Sequence, residues 1–188
     1  MPNVPSLAEL AAKVEELLYE TTDIDNQPVP HDRPLMGEIG LDSLDMIELG
    51  FAMDEFFGFQ FSDRNAVELL DERLGGGVLV APTGYLTEQG RAMVLRRMPE
   101  LEHLDLPEPL KMVEVQQYYT LETFARLMRE FYVALPETCP ETGEAVEVVD
   151  FVPQTAEGKV RVEPPRGDVL IDQWVDRAAL EINAEPVA

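Results

Sequence analysis

The residues of this chain that most clearly offer chemistry are Asp42 and Ser43, an adjacent carboxylate and hydroxyl. They lie in residues 40–49, which read GLDSLDMIEL, and the apolar spacing predicts a helix over about 43–57 that ends at Gly58. Ser43 then lies in the first turn, where free backbone N–H groups and the helix dipole favour a negative group. The serine is therefore either the cap of this helix or an attachment point for a phosphodiester.

A serine hydrolase is the enzymatic alternative for Ser43. Its nucleophile would need a base within hydrogen-bond reach, and only His31 and His103 are histidines. Asp45 also replaces the second glycine of a Gly-x-Ser-x-Gly nucleophile elbow. We interpret both histidines as surface residues and rank the hydrolase below the other readings.

The sequence predicts no metal site and no internal disulfide. Cys139 is the only cysteine, and the two histidines are widely spaced, unlike the ligands of first-row metals. Asp23 and Asp25 begin like a calcium loop, but the required glycine is missing and Pro28 intrudes. A single cysteine suits a reducing compartment.

Two further helices are predicted close to this segment in the chain. Ser6 begins the first and has the capping-box spacing with Glu9, and this helix should end near 21–22. A shorter helix should begin at 62–63 and end before the glycines at 75–77. Thus the predicted helix over 43–57 has helical neighbours on both sides.

The middle of the chain is predicted to be an insertion ahead of another amphipathic helix. Thr120 caps that helix, whose apolar side continues to Leu135. Before it, 87–98 has helical composition and 104–109 is a proline-punctuated turn. The inserted residues extend over about 75–117.

A mixed α/β texture follows Pro136. Valines over 146–152 and 160–162 predict two strands, with 153–158 as the loop of a possible hairpin. Asp168 should cap a terminal helix with one apolar face.

The charge of the chain limits its partners. It has 188 residues, with 37 acidic against 14 basic side chains and a formal net charge of -23. Such a chain repels phosphates, which argues against nucleic acid and anionic membranes, and it favours basic protein partners or serves only solubility. No signal peptide pattern and no apolar run of membrane-spanning length is present, so we predict a cytoplasmic protein without a membrane span.

The helix predicted over 43–57 has two apolar faces when residues advance by about 100°. The first is predicted to be core and contains Met46, Leu49, Met53, Phe56 and Phe57. The second, here called the apolar strip, contains Leu44, Ile47 and Phe51, with Glu48, Asp54 and Glu55 along its borders. Either the insertion covers this strip as extra core, or the strip binds a basic, grooved partner. The acidic border favours binding, because buried carboxylates are costly.

Residues 40–61, which read GLDSLDMIELGFAMDEFFGFQF, resemble the attachment motif and following helix of acyl carrier proteins. The family pattern is a Gly-x-Asp-Ser-Leu core, then Glu-Leu, then an acidic pair before Phe-Gly. The helices from Ser6 and Thr120 resemble the first and last helices of the family, and 119–124 looks like the segment that opens the last one. The resemblance covers 1–70 and 117–135.

This resemblance implies that Ser43 carries covalent 4'-phosphopantetheine and that the chain is a carrier without catalytic residues. Asp42 would support attachment by a phosphopantetheinyl transferase. The thiol of the arm would hold acyl groups as thioesters, sheltered by the helical bundle, for acyl-transferring or acyl-modifying enzymes of fatty acid, lipid or polyketide-type synthesis. The face presented to those enzymes would comprise Leu44, Ile47, Glu48, Phe51, Asp54 and Glu55.

The expected fold is mainly α, an acyl-carrier-like four-helix bundle over 1–135 that is interrupted at about 75–117. A mixed α/β extension over 136–188 completes the chain. The insertion would lengthen an acyl pocket, cover it or bind a dedicated partner. An acidic interaction module without a prosthetic group remains the non-enzymatic alternative.

Overall fold

The computed structural model describes residues 2–24 and 28–184, which are mainly helical, as predicted. Two strands form a small antiparallel sheet. A π-helical turn at Leu35–Ile39 and 3₁₀ turns at Pro99–Leu101 and Met112–Tyr118 add to the predicted elements. The helices are α1 (Leu7–Thr21), α2 (Ser43–Phe57), α3 (Ala66–Arg73), α4 (Glu88–Arg97), α5 (Leu121–Val133) and α6 (Gly167–Ala184), and the strands are β1 (Val146–Val149) and β2 (Val152–Thr155).

Local capping signals set the ends of α1 and α5. The Ser6 hydroxyl accepts the N–H of Glu9, whose carboxylate accepts the N–H of Ser6, so the predicted capping box is confirmed. Thr120 caps α5 by accepting the N–H of Thr123, also as predicted. Both helices therefore begin where short-range hydrogen bonds satisfy their first N–H groups.

The first hydrophobic cluster, here called the bundle cluster, joins α1, α2, α5 and the hairpin. Its aromatic rings pack closely, with centroids of Phe59 and Tyr132 4.9 Å apart and those of Phe59 and Phe131 5.0 Å apart. The Tyr132 hydroxyl donates to the carbonyl of Phe151 and so fixes the hairpin to α5. Fully buried members include Leu10, Leu18, Leu49, Met53, Phe57 and Tyr132.

A second cluster, here called the insertion cluster, joins α3, α4, the 3₁₀ turns and α6. Because α3 packs chiefly against α6, the buried residues of α3 belong to this cluster. The packing of α3 as a fourth bundle helix therefore stays a prediction. Buried members include Val67, Leu70, Leu79, Val94, Leu101, Val115 and Val175.

Asp71 holds together the turn between α3 and α4. Its carboxylate accepts backbone N–H groups from Gly77, Leu79 and Val80. Gly90 lets α4 approach this turn, because a Cβ there would lie 1.9 Å from the Leu79 carbonyl oxygen. A buried carboxylate thus satisfies the backbone N–H groups of this glycine-rich turn, while Leu79 is buried in the insertion cluster.

The predicted hairpin exists, but its predicted loop at 153–158 is wrong. Residues 150 and 151 form the turn with φ values of 48° and 66°, and Pro153 lies inside β2 opposite Val148. The Phe151 ring packs against the rings of Phe56 and Phe57, which holds it in a conformation rarely adopted by non-glycine residues. The predicted second strand at 160–162 is reduced to an isolated bridge between Arg161 and Gln154.

The predicted cap of α6 is also wrong. The helix begins at Gly167, and Asp168 instead accepts a hydrogen bond from the Ser62 hydroxyl. This contact joins the start of α6 to the segment after α2. The extension after residue 135 contributes the hairpin to the bundle cluster and α6 to the insertion cluster, so the domain boundary there stays a prediction.

Within the described parts of the chain, no helix combines the length and hydropathy needed to cross a membrane. The predicted cytoplasmic location and the predicted lack of nucleic acid partners stay predictions.

Candidate attachment site and adjoining cleft

Asp42, not Ser43, caps α2. Its Oδ1 accepts the N–H of Leu44 at 2.7 Å and that of Asp45 at 3.0 Å. In return, Oδ2 of Asp45 accepts the N–H of Asp42 at 2.8 Å, which completes a capping box. The capping alternative for Ser43 is therefore excluded, because the preceding carboxylate already holds that position.

Ser43 is the first residue of α2, and its side chain is exposed. Among the described residues, neither its hydroxyl nor its backbone N–H has a hydrogen-bond partner. The chain before it is fixed, since Leu41 is buried and donates its N–H to the carbonyl of Leu35. An accessible hydroxyl is thus held on a rigid helix end.

A phosphodiester on the Ser43 oxygen fits this environment. It would displace no buried group, and it would lie beside an N–H that has no protein acceptor. The positive end of the helix dipole favours a negative group by about 0.3–1 kcal/mol at an exposed site. The carboxylates of Asp42 and Asp45 oppose that effect, so the fit depends on accessibility more than on electrostatic attraction.

The apolar strip is exposed. Leu44, Ile47 and Phe51 expose 60%, 53% and 69% of their surface, so the insertion does not cover them as extra core. The opposite face is core as predicted, because Leu49, Met53 and Phe57 are buried and Met46 and Phe56 are half-buried against the bundle cluster.

The carboxylates that border the strip have different surroundings. Glu48 and Glu55 are exposed and form no ion pair within the described residues. Asp54 is half-buried, and its Oδ1 accepts the N–H of Phe61 at 3.4 Å. Burial raises the pKa of Asp54, although this hydrogen bond lowers it. Two border carboxylates are thus free to face a partner, whereas Asp54 is recessed.

A cleft of about 610 Å³ separates α2 from the insertion cluster. Sequence reasoning missed it, because its walls come from segments that are far apart in the chain. The α2 side is formed by Met46, Ile47, Gly50, Phe51 and Asp54. The facing walls include Val113 of the insertion, Tyr119 before α5, and Leu170 and Ile171 of α6.

An ion-pair network joins the two clusters beside the cleft. Arg97 donates to Glu130 of α5 and lies 5.3 Å from the centre of the Trp174 ring of α6. Arg126 of α5 donates to Glu100 at 2.7 Å and 3.0 Å and to Glu130 at 3.2 Å. These contacts link the insertion to α5 and α6.

The structure gives Ser43 no histidine base. His31 pairs with Glu15, with 3.0 Å between Nε2 and Oε2, and Nε2 of His103 lies 3.0 Å from the carbonyl oxygen of Asp32. No cluster of potential metal ligands occurs over 2–24 and 28–184, whereas Asp25 of the weak calcium motif lies outside these residues.

Comparison with known proteins adds independent evidence. Residues 5–70 match the family model described as a phosphopantetheine attachment site. An acyl carrier protein of Solidesulfovibrio magneticus is 37% identical over 60 residues, which are 32% of this chain and 77% of that protein. This chain belongs to the acyl carrier protein family. Another member, from Coprothermobacter proteolyticus, is 26% identical over 57 residues, or 30% of this chain and 70% of that one. No solved structure matches significantly.

Membership confirms the resemblance found in the sequence. Acyl carrier proteins are carriers and not enzymes, and their prosthetic group is covalently attached 4'-phosphopantetheine. The match covers α1, α2 and most of α3, but it does not include the insertion, α5 or the C-terminal extension. The family therefore accounts for the segment around Ser43 and leaves the outer walls of the cleft unexplained.

Proposed function

We propose that Ser43 carries the 4'-phosphopantetheine arm and that the chain presents acyl groups to partner enzymes. The observation that carries this proposal is the exposed hydroxyl of Ser43, which has no capping role, inside the segment that matches the family. When attached, the arm supplies a thiol that holds acyl groups as thioesters. The protein itself positions the attachment point.

Asp42 has two roles in this proposal. Its Oδ1 caps α2 and so fixes the backbone on which Ser43 stands. Its side chain is exposed, so the carboxylate is also accessible to the phosphopantetheinyl transferase. A transferase that binds a metal ion would find this negative group directly beside the serine.

The apolar strip and its free carboxylates form the face presented to partners. Leu44, Ile47 and Phe51 supply apolar contact area, and Glu48 and Glu55 supply negative charge. Basic docking surfaces on acyl-transferring or acyl-modifying enzymes complement this face. Asp54 contributes mainly to the cleft, because it is recessed. Fatty acid, lipid and polyketide-type synthesis are the pathways that use such partners.

Intact mass measurement tests the attachment. After incubation with coenzyme A and a broad-range phosphopantetheinyl transferase, we expect the wild type to gain the mass of one arm and Ser43→Ala to gain none. Ser6→Ala is the control, since it loses an N-cap but keeps the site, and it should gain the same mass as the wild type.

An unchanged wild-type mass would contradict the proposal and favour an acidic interaction module. That module could use the same exposed strip without an arm. A gain on Ser43→Ala equal to that of the wild type would move the attachment to another residue.

A further inference from the structure

The cleft lies within reach of the proposed attachment point. Both belong to α2, and Gly50 in the cleft follows Ser43 by seven residues, about 10 Å along the helix axis. Ile47 and Phe51, which line the cleft, are also exposed. A chain attached at Ser43 can therefore follow the surface of α2 into the cleft without crossing packed structure.

Gly50 keeps the α2 side of the cleft open. Glycine is the poorest helix former after proline, so its presence inside a helix needs a reason. Close packing is not that reason, because a Cβ at this position would meet no atom within 4 Å. The missing side chain instead leaves space that belongs to the cleft.

The interior of the bundle cluster offers less room. Leu49, Phe57 and Tyr132 are fully buried, and the rings of Phe59 and Tyr132 pack edge to face with their centroids 4.9 Å apart. A chain entering this interior would have to displace close-packed side chains, which protein cores resist. The cleft requires no such displacement.

Segments outside the family match form the outer wall of the cleft. Val113 of the insertion is 68% exposed, and Leu170 and Ile171 of α6, which line the same cleft, are half-buried. The volume of about 610 Å³ lies within the range of roughly 300–1,000 Å³ that is usual for small-ligand sites.

We propose that this cleft, and not the packed interior of the bundle cluster, receives the apolar chain of the acyl group carried at Ser43. The insertion and α6 form its outer wall. This inference rests on the proposed function, since it requires the arm at Ser43.

The test loads the full chain with butanoyl, octanoyl or hexadecanoyl groups from the corresponding acyl-coenzyme A, and intact mass confirms loading. The rate at which hydroxylamine cleaves the thioester is then measured. We expect slower cleavage for longer chains, because an acyl chain inside the cleft is protected from hydroxylamine. Each methylene that enters the cleft favours the bound chain over the solvent-exposed chain by up to roughly fourfold, until the cleft is full. Fluorescence of Trp174, the only tryptophan, should change on octanoyl loading, because the nearby Arg97 lines the cleft.

Two pairs of variants localise the chain. Gly50→Leu fills the α2 side, whereas Ala52→Leu enlarges a partly exposed side chain of the same helix outside the cleft. Val113→Asp charges the outer wall, and Val133→Asp is its control at a 61% exposed position outside the cleft. Gly50→Leu and Val113→Asp should each speed cleavage of the octanoyl thioester about tenfold, as expected if room for about two methylenes is lost. The controls should cleave at the wild-type rate.

Equal cleavage rates for all three acyl groups, after confirmed loading, would overturn the inference and leave a partner side chain as the occupant of the cleft. Faster cleavage in Gly50→Leu but not in Val113→Asp would contradict the proposal that the insertion forms the outer wall of the acyl site. Failure to load at all would instead contradict the attachment proposed for Ser43, so the two failures are distinguishable.

Discussion

The bundle cluster and the insertion cluster are stabilised by different means. The bundle cluster packs amphipathic helices and stacked rings around residues such as Phe57 and Tyr132. The insertion cluster also depends on a buried carboxylate, Asp71, and on ion pairs at its surface. The attachment motif belongs to the first, whereas Tyr119 and Ile171 on the facing side of the cleft pack against the second. A local motif therefore contains the proposed tether, whereas tertiary packing shapes the space beside it.

The two regions also differ in how their charges are arranged. Arginines of α3 and α4 pair with acidic residues of α6, as in Arg73 with Asp176 and Arg96 with Glu181. Glu48 and Glu55 on α2 have no ion-pair partner within the described residues. Ion pairs thus link helices within the insertion cluster, whereas these two carboxylates of α2 stay accessible to a partner.

The largest expected effect is a loss of stability in the insertion cluster that leaves attachment of the arm unchanged. Asp71→Ala should lower the free energy of unfolding by about 3 kcal/mol, because it leaves the N–H groups of Gly77, Leu79 and Val80 without their acceptor. Urea unfolding checks this value, with the neighbouring exposed Glu72→Ala as control. Phosphopantetheine loading should remain, and its loss would show that the two clusters fold as one unit.

The same residue gives the insertion cluster a dependence on pH. Burial raises the pKa of Asp71, but the hydrogen bonds from Leu79, Gly77 and Val80 outweigh it and leave the pKa below its usual range. A lowered folded-state pKa means stabilisation above the unfolded value that is lost as pH falls through the folded value. The stability difference between wild type and Asp71→Ala should therefore be full at neutral pH and shrink in acid. A constant difference down to strongly acidic pH would contradict this assignment.

A smaller effect is expected where the clusters meet. Arg126→Ala should cost about 2 kcal/mol, because Glu100, whose side chain is only 7% exposed, loses its charge-assisted hydrogen bonds from the guanidinium. Arg129→Ala is the matched control on the same helix, since Arg129 is exposed and forms no ion pair among the described residues, and it should change stability by less than about 0.5 kcal/mol. Equal effects of the two variants in denaturant unfolding would mean that the network does not join the clusters.

The smallest effect has the opposite sign. Gly50→Ala should stabilise the protein by about 1 kcal/mol, because alanine favours the helix and its Cβ meets no neighbour. Thermal unfolding measures this gain. A loss of stability would show that the cleft is tighter beside α2 than the structure indicates.

Short-range signals explain what could be predicted from the sequence. The capping residues Ser6 and Thr120 and the apolar period of α2 set the helix limits and the exposed strip. The role of Asp42 as cap could also have been foreseen, since Asp45 follows it at the capping-box spacing. These features depend on neighbours within one helical turn.

Features that depend on distant contacts could not be predicted. The hairpin turn at 150–151 depends on packing of Phe151 against α2, and Asp168 leaves its predicted cap position for Ser62. The cleft lies between α2 and segments that are far apart in the chain, and no sequence period encodes that arrangement. The one local feature that could have indicated the cleft is Gly50, because a glycine inside a strongly predicted helix needs a structural reason.

Peptide mapping of the loaded wild type tests the central claim most directly. The chain has three serines, and a digest analysed by tandem mass spectrometry should place the phosphopantetheine on Ser43 and leave the peptides with Ser6 and Ser62 unmodified. An arm on any other residue, or no arm on any peptide, would contradict the claim that the free hydroxyl beside the Asp42 cap is the tether.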